Sequence, residues 1–230
     1  MESAPRPSST RDRLGSALTR QPWLALEVAL ASLIAFLNML MPTLLLVGLG
    51  TTSLWARRTS WLDVGLKRPA SWRTTVGAAT LLAVAASAFS LWIARPAIQA
   101  LTGHVQDYSL FQSVQGNART FLGWLAISWI LGAFLEEMAF RGYFLNRSLD
   151  LFGRRWPGIV TAVLLNASAF GALHAYQGLG GMLNTAVDAA IFALVYLSSG
   201  RNLWLTVLMH GIGNTLGLIA IYQGWFGLLG

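Results

Sequence analysis

The 230-residue sequence contains no cysteine, only three histidines and only nine acidic residues. Without cysteine there is no disulfide, no thiolate metal site and no cysteine nucleophile. Charged residues make up 11% of the chain, against about 25% in a typical soluble domain, too few to cover a water-facing surface. Seven prolines leave long stretches unbroken, and several apolar runs reach the roughly 20 residues needed to cross a bilayer. What is present is 55% hydrophobic, with ten tryptophans and 23 glycines. The class these features predict is all-α: a polytopic transmembrane helical bundle of about 6-8 membrane helices.

The scarcity of acid leaves a net charge of +7. The basic residues flank apolar runs instead of forming a stripe or a soluble module. That pattern fits topology signals and contacts with anionic membrane lipids, and nucleic acid is not an expected partner.

Residues 1–21, with Arg6, Arg11, Arg13 and Arg20 among Ser and Pro, read as a disordered basic N-terminal arm. The apolar run after it lacks a small-residue cleavage site, which argues against a signal peptide. The remainder, 22–230, reads as one membrane-embedded domain. Residues 23–55 are apolar apart from Glu27, Asn38 and Pro42. A single straight helix of that length would span about 50 Å, so the run is either a kinked helix or a pair of shorter ones broken near Pro42. Residues 57–73 form a basic, Trp-flanked interfacial segment, and 74–101 the next span. A polar loop covers 102–118. A helix over 119–146, running on toward Phe152, ends at the turn signal Gly153-Arg-Arg-Trp-Pro157, with Pro157 suited to the first turn of a new helix. Further spans are expected at 157–175, 181–199 and 203–224. There is no internal repeat.

Loop charge tests this layout. If 23–55 crosses twice, segments 1–21, 57–73, 147–155 and 200–202 share one side and hold nearly all the Lys and Arg, in agreement with the positive-inside rule. A single crossing would violate it. Two short crossings are therefore favoured, with the N-terminus on the cytoplasmic side of the cell membrane.

Against this background, ionisable groups inside the apolar runs stand out, because at membrane depth they are costly and mark function. Glu136 and Glu137 are adjacent, and Glu137 and Arg141 share a helical face at i, i+4. Phe170 and His174 repeat that spacing, and so do His210 and Asn214. A turn centred near residues 154–155 folds 119–152 and 157–175 into a helical hairpin, which brings Glu136 to the depth of His174. A carboxylate and a histidine can hold and deprotonate a water for attack on a carbonyl, and a second histidine with an amide can hydrogen-bond the developing oxyanion. With no serine beside a histidine in these motifs, a covalent nucleophile is not expected. Glu137, paired with Arg141, would brace the helix and leave Glu136 as the base, while Phe170 would shape the pocket. Asp188 is a further intramembrane carboxylate that could orient a histidine or pair with Arg201 or a polar neighbour. Glu27 is expected at the interface, and His104 in a polar loop is expected to be uninvolved. No HExxH is present, and no metal or other cofactor is expected, although Glu and His can both ligate zinc.

Glu136-Glu137-x-x-x-Arg141, Phe170-x-x-x-His174 and His210-x-x-x-Asn214, in that order on successive membrane helices and with Gly142 after Arg141, resemble the three motifs of the CAAX-processing and bacteriocin-processing (CPBP, or Abi) family. The stretch Val64-Gly-Leu-Lys-Arg-Pro69 is similar to a segment often found before them. The resemblance covers roughly 57–220 and implies an intramembrane, glutamate-type endopeptidase similar to the type II CAAX prenyl endopeptidase. It assigns Glu136 and His174 to water activation, His210 and Asn214 to the oxyanion, and Glu137 and Arg141 to support. The implied partner is a peptide or small protein presented at the membrane, whether lipidated, leader-bearing or bacteriocin-like. The alternatives are a non-proteolytic immunity or scaffold protein that retains the fold, disfavoured by the intact motif set, and a proton-relay transporter, disfavoured by the absence of inverted repeats.

Overall fold

Prolines and glycines set most of the helix boundaries in the structure, a computed structural model that describes residues 9–38 and 41–225. Pro22, Pro42 and Pro157 each stand in the first turn of a helix, where the missing N–H leaves no intrahelical bond unmade. The helices are α1 (Thr10–Leu18), α2 (Gln21–Phe36), α3 (Pro42–Ala56), α4 (Trp72–Thr102), α5 (Ala118–Phe152), α6 (Trp156–Leu173), α7 (Gly178–Ser198) and α8 (Leu203–Tyr222). Among the described residues there is no strand. Five helical stretches, α4 to α8 with the short turn before α7, are long and apolar enough to cross a membrane. Their outward faces carry residues such as Leu81, Trp92, Leu122, Ile130 and Leu164, all exposed, as a lipid-facing surface requires. The protein is an integral membrane protein with an all-α helical bundle.

The run 23–55 is a pair of helices, not one kinked rod. α2 and α3 have 16 and 15 residues, about 24 and 22 Å at 1.5 Å per residue. Arg57, just past α3, reaches back to Glu27 Oε2 (2.5 Å) and to the Leu18 carbonyl (2.8 Å). The chain thus returns to the level it left, and the basic segments on either side of the pair lie together. One expectation gains detail here and one changes. Glu27 is 7% exposed and ion-paired with Arg57, because a charge buried among helices needs a counter-charge. The N-terminal arm is not disordered throughout. Thr10–Leu18 is helical, with a capping box between Ser9 and Asp12 that satisfies end N–H groups. Asp12 also binds Arg58 (2.6 Å), and Arg11 bonds the Trp55 carbonyl and lies over the Trp55 ring. Residues 1–8 lie outside the described residues.

The structure leaves α-helical geometry at the places that matter for the site. In α4 a π-helical turn, Ser90–Ala94, precedes Pro96, whose ring and missing N–H disrupt the regular ladder. In α5 two π-helical segments, Ser128–Leu135 and Met138–Leu145, flank Glu136 and Glu137. Such widened turns are frequent at functional sites. The segment Val64–Pro69 braces the turn between α7 and α8: Leu203 N–H donates to the Gly65 carbonyl (3.1 Å) and Tyr196 O–H to the Val64 carbonyl (2.7 Å). Gly65, at φ +102°, passes so close to Arg201 that a Cβ there would lie 1.8 Å from its carbonyl oxygen.

α5 and α8 run antiparallel. Phe121 meets Tyr222, Gly132 faces Asn214, Glu137 bonds His210 and Gly142 approaches Leu203. α6 packs on α5 through Phe170 and Ala167 against Phe140 and Phe144 in the largest buried cluster. α4 covers the other flank, placing Ala79 and Ala83 against Phe192, Leu205 and Met209. The small residues of α4 allow the close helix approach that membrane packing relies on.

Candidate active site

α4, α5, α6, α7 and α8 enclose a cavity of about 600 Å³ whose lining includes Glu136, His174, His210, Asn214 and Phe170. All four residues assigned to chemistry from the sequence thus face one space. Glu137 and Arg141 lie behind its wall, each with a wholly buried side chain, and pair through Glu137 Oε1 and Arg141 Nη1 at 3.0 Å. Arg141 also donates to the Ala189 carbonyl at 3.1 Å, and its guanidinium lies over the rings of Phe170 and Phe192 at 4.8 and 5.3 Å. Cation–π contact and hydrogen bonding replace the water this cation has lost.

The two histidines are held differently. His174 caps the C-terminus of α6, so it sits at a helix end and not within a span. Its Nδ1 lies 2.9 Å from the Phe170 carbonyl. A carbonyl only accepts, so Nδ1 carries the proton, and Nε2 is left with a lone pair. The ring packs on Phe170 at 4.9 Å. His210 lies on α8 with Nδ1 3.0 Å from Glu137 Oε1 and Nε2 3.9 Å from Glu136 Oε2. Its ring stacks on Phe192, with centroids 5.2 Å apart. The imidazole nearest Glu136 is therefore His210, while His174 shares the cavity with Glu136 as the hairpin register predicts. Asn214, one turn beyond His210, makes no hydrogen bond to another described residue, and its Nδ2 would lie 3.2 Å from a Cβ at Gly132. The absence of a side chain at 132 leaves that amide room.

Several contributors escape sequence reading. Glu137 is more than the partner of Arg141, because it also holds His210. Only the shared helix face of Glu137 and Arg141 was visible in the spacing, and the distance from α5 to α8 was not. Asp188 does not reach either histidine by hydrogen bond. It accepts from Asn184 at 3.2 Å, and Asn184 in turn accepts from Ser90 at 2.9 Å. Arg201 turns instead to Asn146 (3.3 Å). Asp188 nevertheless lines the cavity, together with Arg95 from α4 and Tyr108 from the segment before α5. Burial pushes the Tyr108 phenol up to about 12, so it enters the cavity as a neutral hydroxyl. His104 is exposed, with Nδ1 against the Thr102 carbonyl (2.7 Å), away from this set.

The arrangement offers a base, two imidazoles and an amide around one space, backed by a buried ion pair. Among the described residues no group of three or more His, Asp or Glu side chains is placed to hold a metal ion. Comparison with curated proteins and with solved structures gives no match. Residues 118–216, which contain Glu136, Glu137, Arg141, Phe170, His174, His210 and Asn214, match the family model "Type II CAAX prenyl endopeptidase Rce1-like", which supports placing this part of the chain with the CPBP, or CAAX-protease, family.

Proposed function

We propose that the protein is an intramembrane endopeptidase that hydrolyses a peptide bond with a water activated by Glu136 and His174. The supporting observation is that Glu136, His174, His210 and Asn214, on three different helices, converge on one cavity. Water held between the Glu136 carboxylate and His174 Nε2 gives a proton to Glu136 as its oxygen attacks the scissile carbonyl. The oxyanion that forms accepts hydrogen bonds from Asn214 Nδ2 and from His210 Nε2. The latter requires a proton on both nitrogens of His210, Nδ1–H donating a hydrogen bond to Glu137 and Nε2–H one to the oxyanion. The Glu137 carboxylate supplies the counter-charge, Glu136 having taken the proton of the water. Glu136 then passes its proton to the amide nitrogen as the C–N bond breaks. Glu137 and Arg141 position His210, and Phe170 forms the floor beneath both imidazoles. No step of this scheme draws on a metal.

The substrate is a peptide or a prenylated protein segment at the membrane, as the name of the matched family indicates. The clustering of the α1 end, Arg57 and Arg58 fits a cytoplasmic N-terminus in the cell membrane, with 22–230 acting as one membrane domain. The test uses purified protein in lipid nanodiscs with a quenched fluorescent peptide ending in a prenylated cysteine and three further residues, alongside its unprenylated form. Cleavage is expected for wild type and absent for Glu136→Ala and His174→Ala, each still folded by size exclusion. Full activity in either variant would overturn the mechanism.

A further inference from the structure

The register between α5 and α8 decides whether His210 and Asn214 face Glu136, and one contact outside the motifs sets it. Trp129 lies on α5 about two turns before Glu136. Its ring is pressed against α8 at Gly211, where an added Cβ would lie 2.5 Å from both Cε3 and Cζ3 and 2.7 Å from Cδ2. One turn on, the indole N–H donates to Thr215 Oγ1 at 3.1 Å, and that hydroxyl donates to the Gly211 carbonyl at 2.7 Å. The indole is thus seated in a notch that only glycine can leave open and is fastened by a hydrogen bond at the notch's far side. Gly211 follows His210 directly, and Thr215 follows Asn214. A residue that fixes 211 and 215 fixes the rotation of both neighbours.

We propose that Trp129 is a positioning residue for the oxyanion pair: seated on Gly211 and bonded to Thr215, it locks α8 in the register that presents His210 and Asn214 to Glu136. The inference rests on the proteolytic reading for its kinetic consequence, but its geometric content stands apart from it. The contacts are directional, one steric and one polar, and both lie on the face of α8 adjacent to the cavity-facing one. A methyl group at 211 has to move the ring or the helix by about 1 Å to reach ordinary van der Waals separation, and a misplacement of that size costs on the order of 100-fold in rate for a positioned catalytic group.

The experiment has a kinetic and a non-kinetic arm. In nanodiscs with the prenylated quenched peptide, Gly211→Ala is expected to lower kcat on the order of 100-fold with KM little changed, because the substrate-binding walls stay in place. Trp129→Phe removes the benzo ring that the methyl would strike, so Gly211→Ala/Trp129→Phe is expected to regain at least tenfold over Gly211→Ala. Thr215→Val, nearly isosteric, removes the hydroxyl that accepts from the indole and donates to the Gly211 carbonyl; a kcat loss of about tenfold is expected in protein that still folds, and this arm applies even if Gly211→Ala fails to fold. The non-kinetic arm uses the absence of native cysteine. Gly132→Cys/Asn214→Cys places two thiols where α5 and α8 face each other, and the rate of disulfide formation reads the register directly. That rate is expected to fall when Gly211→Ala is added and to recover with Trp129→Phe. Wild-type kcat and cross-linking in Gly211→Ala, or no recovery in the double variant, would overturn the proposal. If wild-type protein cleaved no peptide but cross-linking followed the expected order, the register lock would hold and the proteolytic reading would fail.

Discussion

Replacing Arg141 by methionine tests whether the buried pair behind the cavity is an electrostatic device or mainly packing. The side chains of Arg141 and Glu137 are both 0% exposed and meet at 3.0 Å. Methionine keeps the unbranched stem but loses the guanidinium over Phe170 and Phe192 and leaves the Glu137 carboxylate without its cation. Breaking one side of a buried pair costs about 3–5 kcal/mol, whereas replacing both members by neutral groups is often close to neutral. In a chain of 230 residues, each kcal/mol shifts the midpoint by about 2–4 °C, so Arg141→Met should melt about 6–20 °C below wild type. Glu137→Gln/Arg141→Met removes the stranded charge while keeping an acceptor for His210 Nδ1–H, and should recover more than half of that loss. The assay is thermal unfolding in nanodiscs followed by intrinsic tryptophan fluorescence. If Arg141→Met melts within about 2 °C of wild type, or if the double variant melts below it, the ionic account is wrong.

Two further outcomes follow from the same structure. Tyr196, fully buried, donates to the Val64 carbonyl (2.7 Å) and accepts from Asn146 (2.8 Å); Tyr196→Phe strips a buried acceptor and should cost about 1–3 kcal/mol, read as a lower melting temperature with peptide cleavage per folded molecule unchanged. At the surface, hydrogen bonds from Ser9 and the neighbouring Arg58 hold Asp12 below its ordinary 3.8. A depressed folded value means that the carboxylate's contribution to the docking of α1 is present above the unfolded value and is lost as pH falls through the folded one. Hydrogen exchange of residues 10–18, corrected for its intrinsic pH dependence, should therefore stay slow down to about pH 4 and accelerate below it, and Asp12→Asn should exchange fast throughout.

Much of the architecture was legible because the bilayer makes composition decisive. Apolar runs of sufficient length, punctuated by Pro157 and Gly153, placed α4 to α8 within a few residues. The break near Pro42 followed from length, since one helix could not fit. Loop charge favoured two passes, and the meeting of Arg57 with Glu27 and Leu18 brings the two ends of that pair together. Burial partners were harder to read. The cation that pairs with Glu27, Arg57, stands 30 residues on, and only the folded pair of helices brings them together. Thr10–Leu18 looked disordered because its composition is polar and basic, while its capping box and its contacts with the end of α3 supply the missing stability. In the site, the i, i+4 pairs identified Glu137–Arg141 and the faces holding His174 and Asn214. The contact of Glu137 with His210 was invisible, because the register between α5 and α8 depends on packing at Trp129, Gly211 and Gly132. The π-helical segments around Glu136 also change the facing of residues in a way that a 3.6-residue period does not anticipate.

The central claim is that Glu136 acts as the base for the attacking water while Glu137 only positions. The most direct measurement is the rate of peptide cleavage by Glu136→Gln protein in nanodiscs, with products identified by mass spectrometry and melting temperature matched to wild type. Glutamine keeps the shape and removes the basicity, so the account predicts a loss of about 10²–10⁴-fold, the usual contribution of a positioned general base. Cleavage by Glu136→Gln within tenfold of the wild-type rate would contradict it.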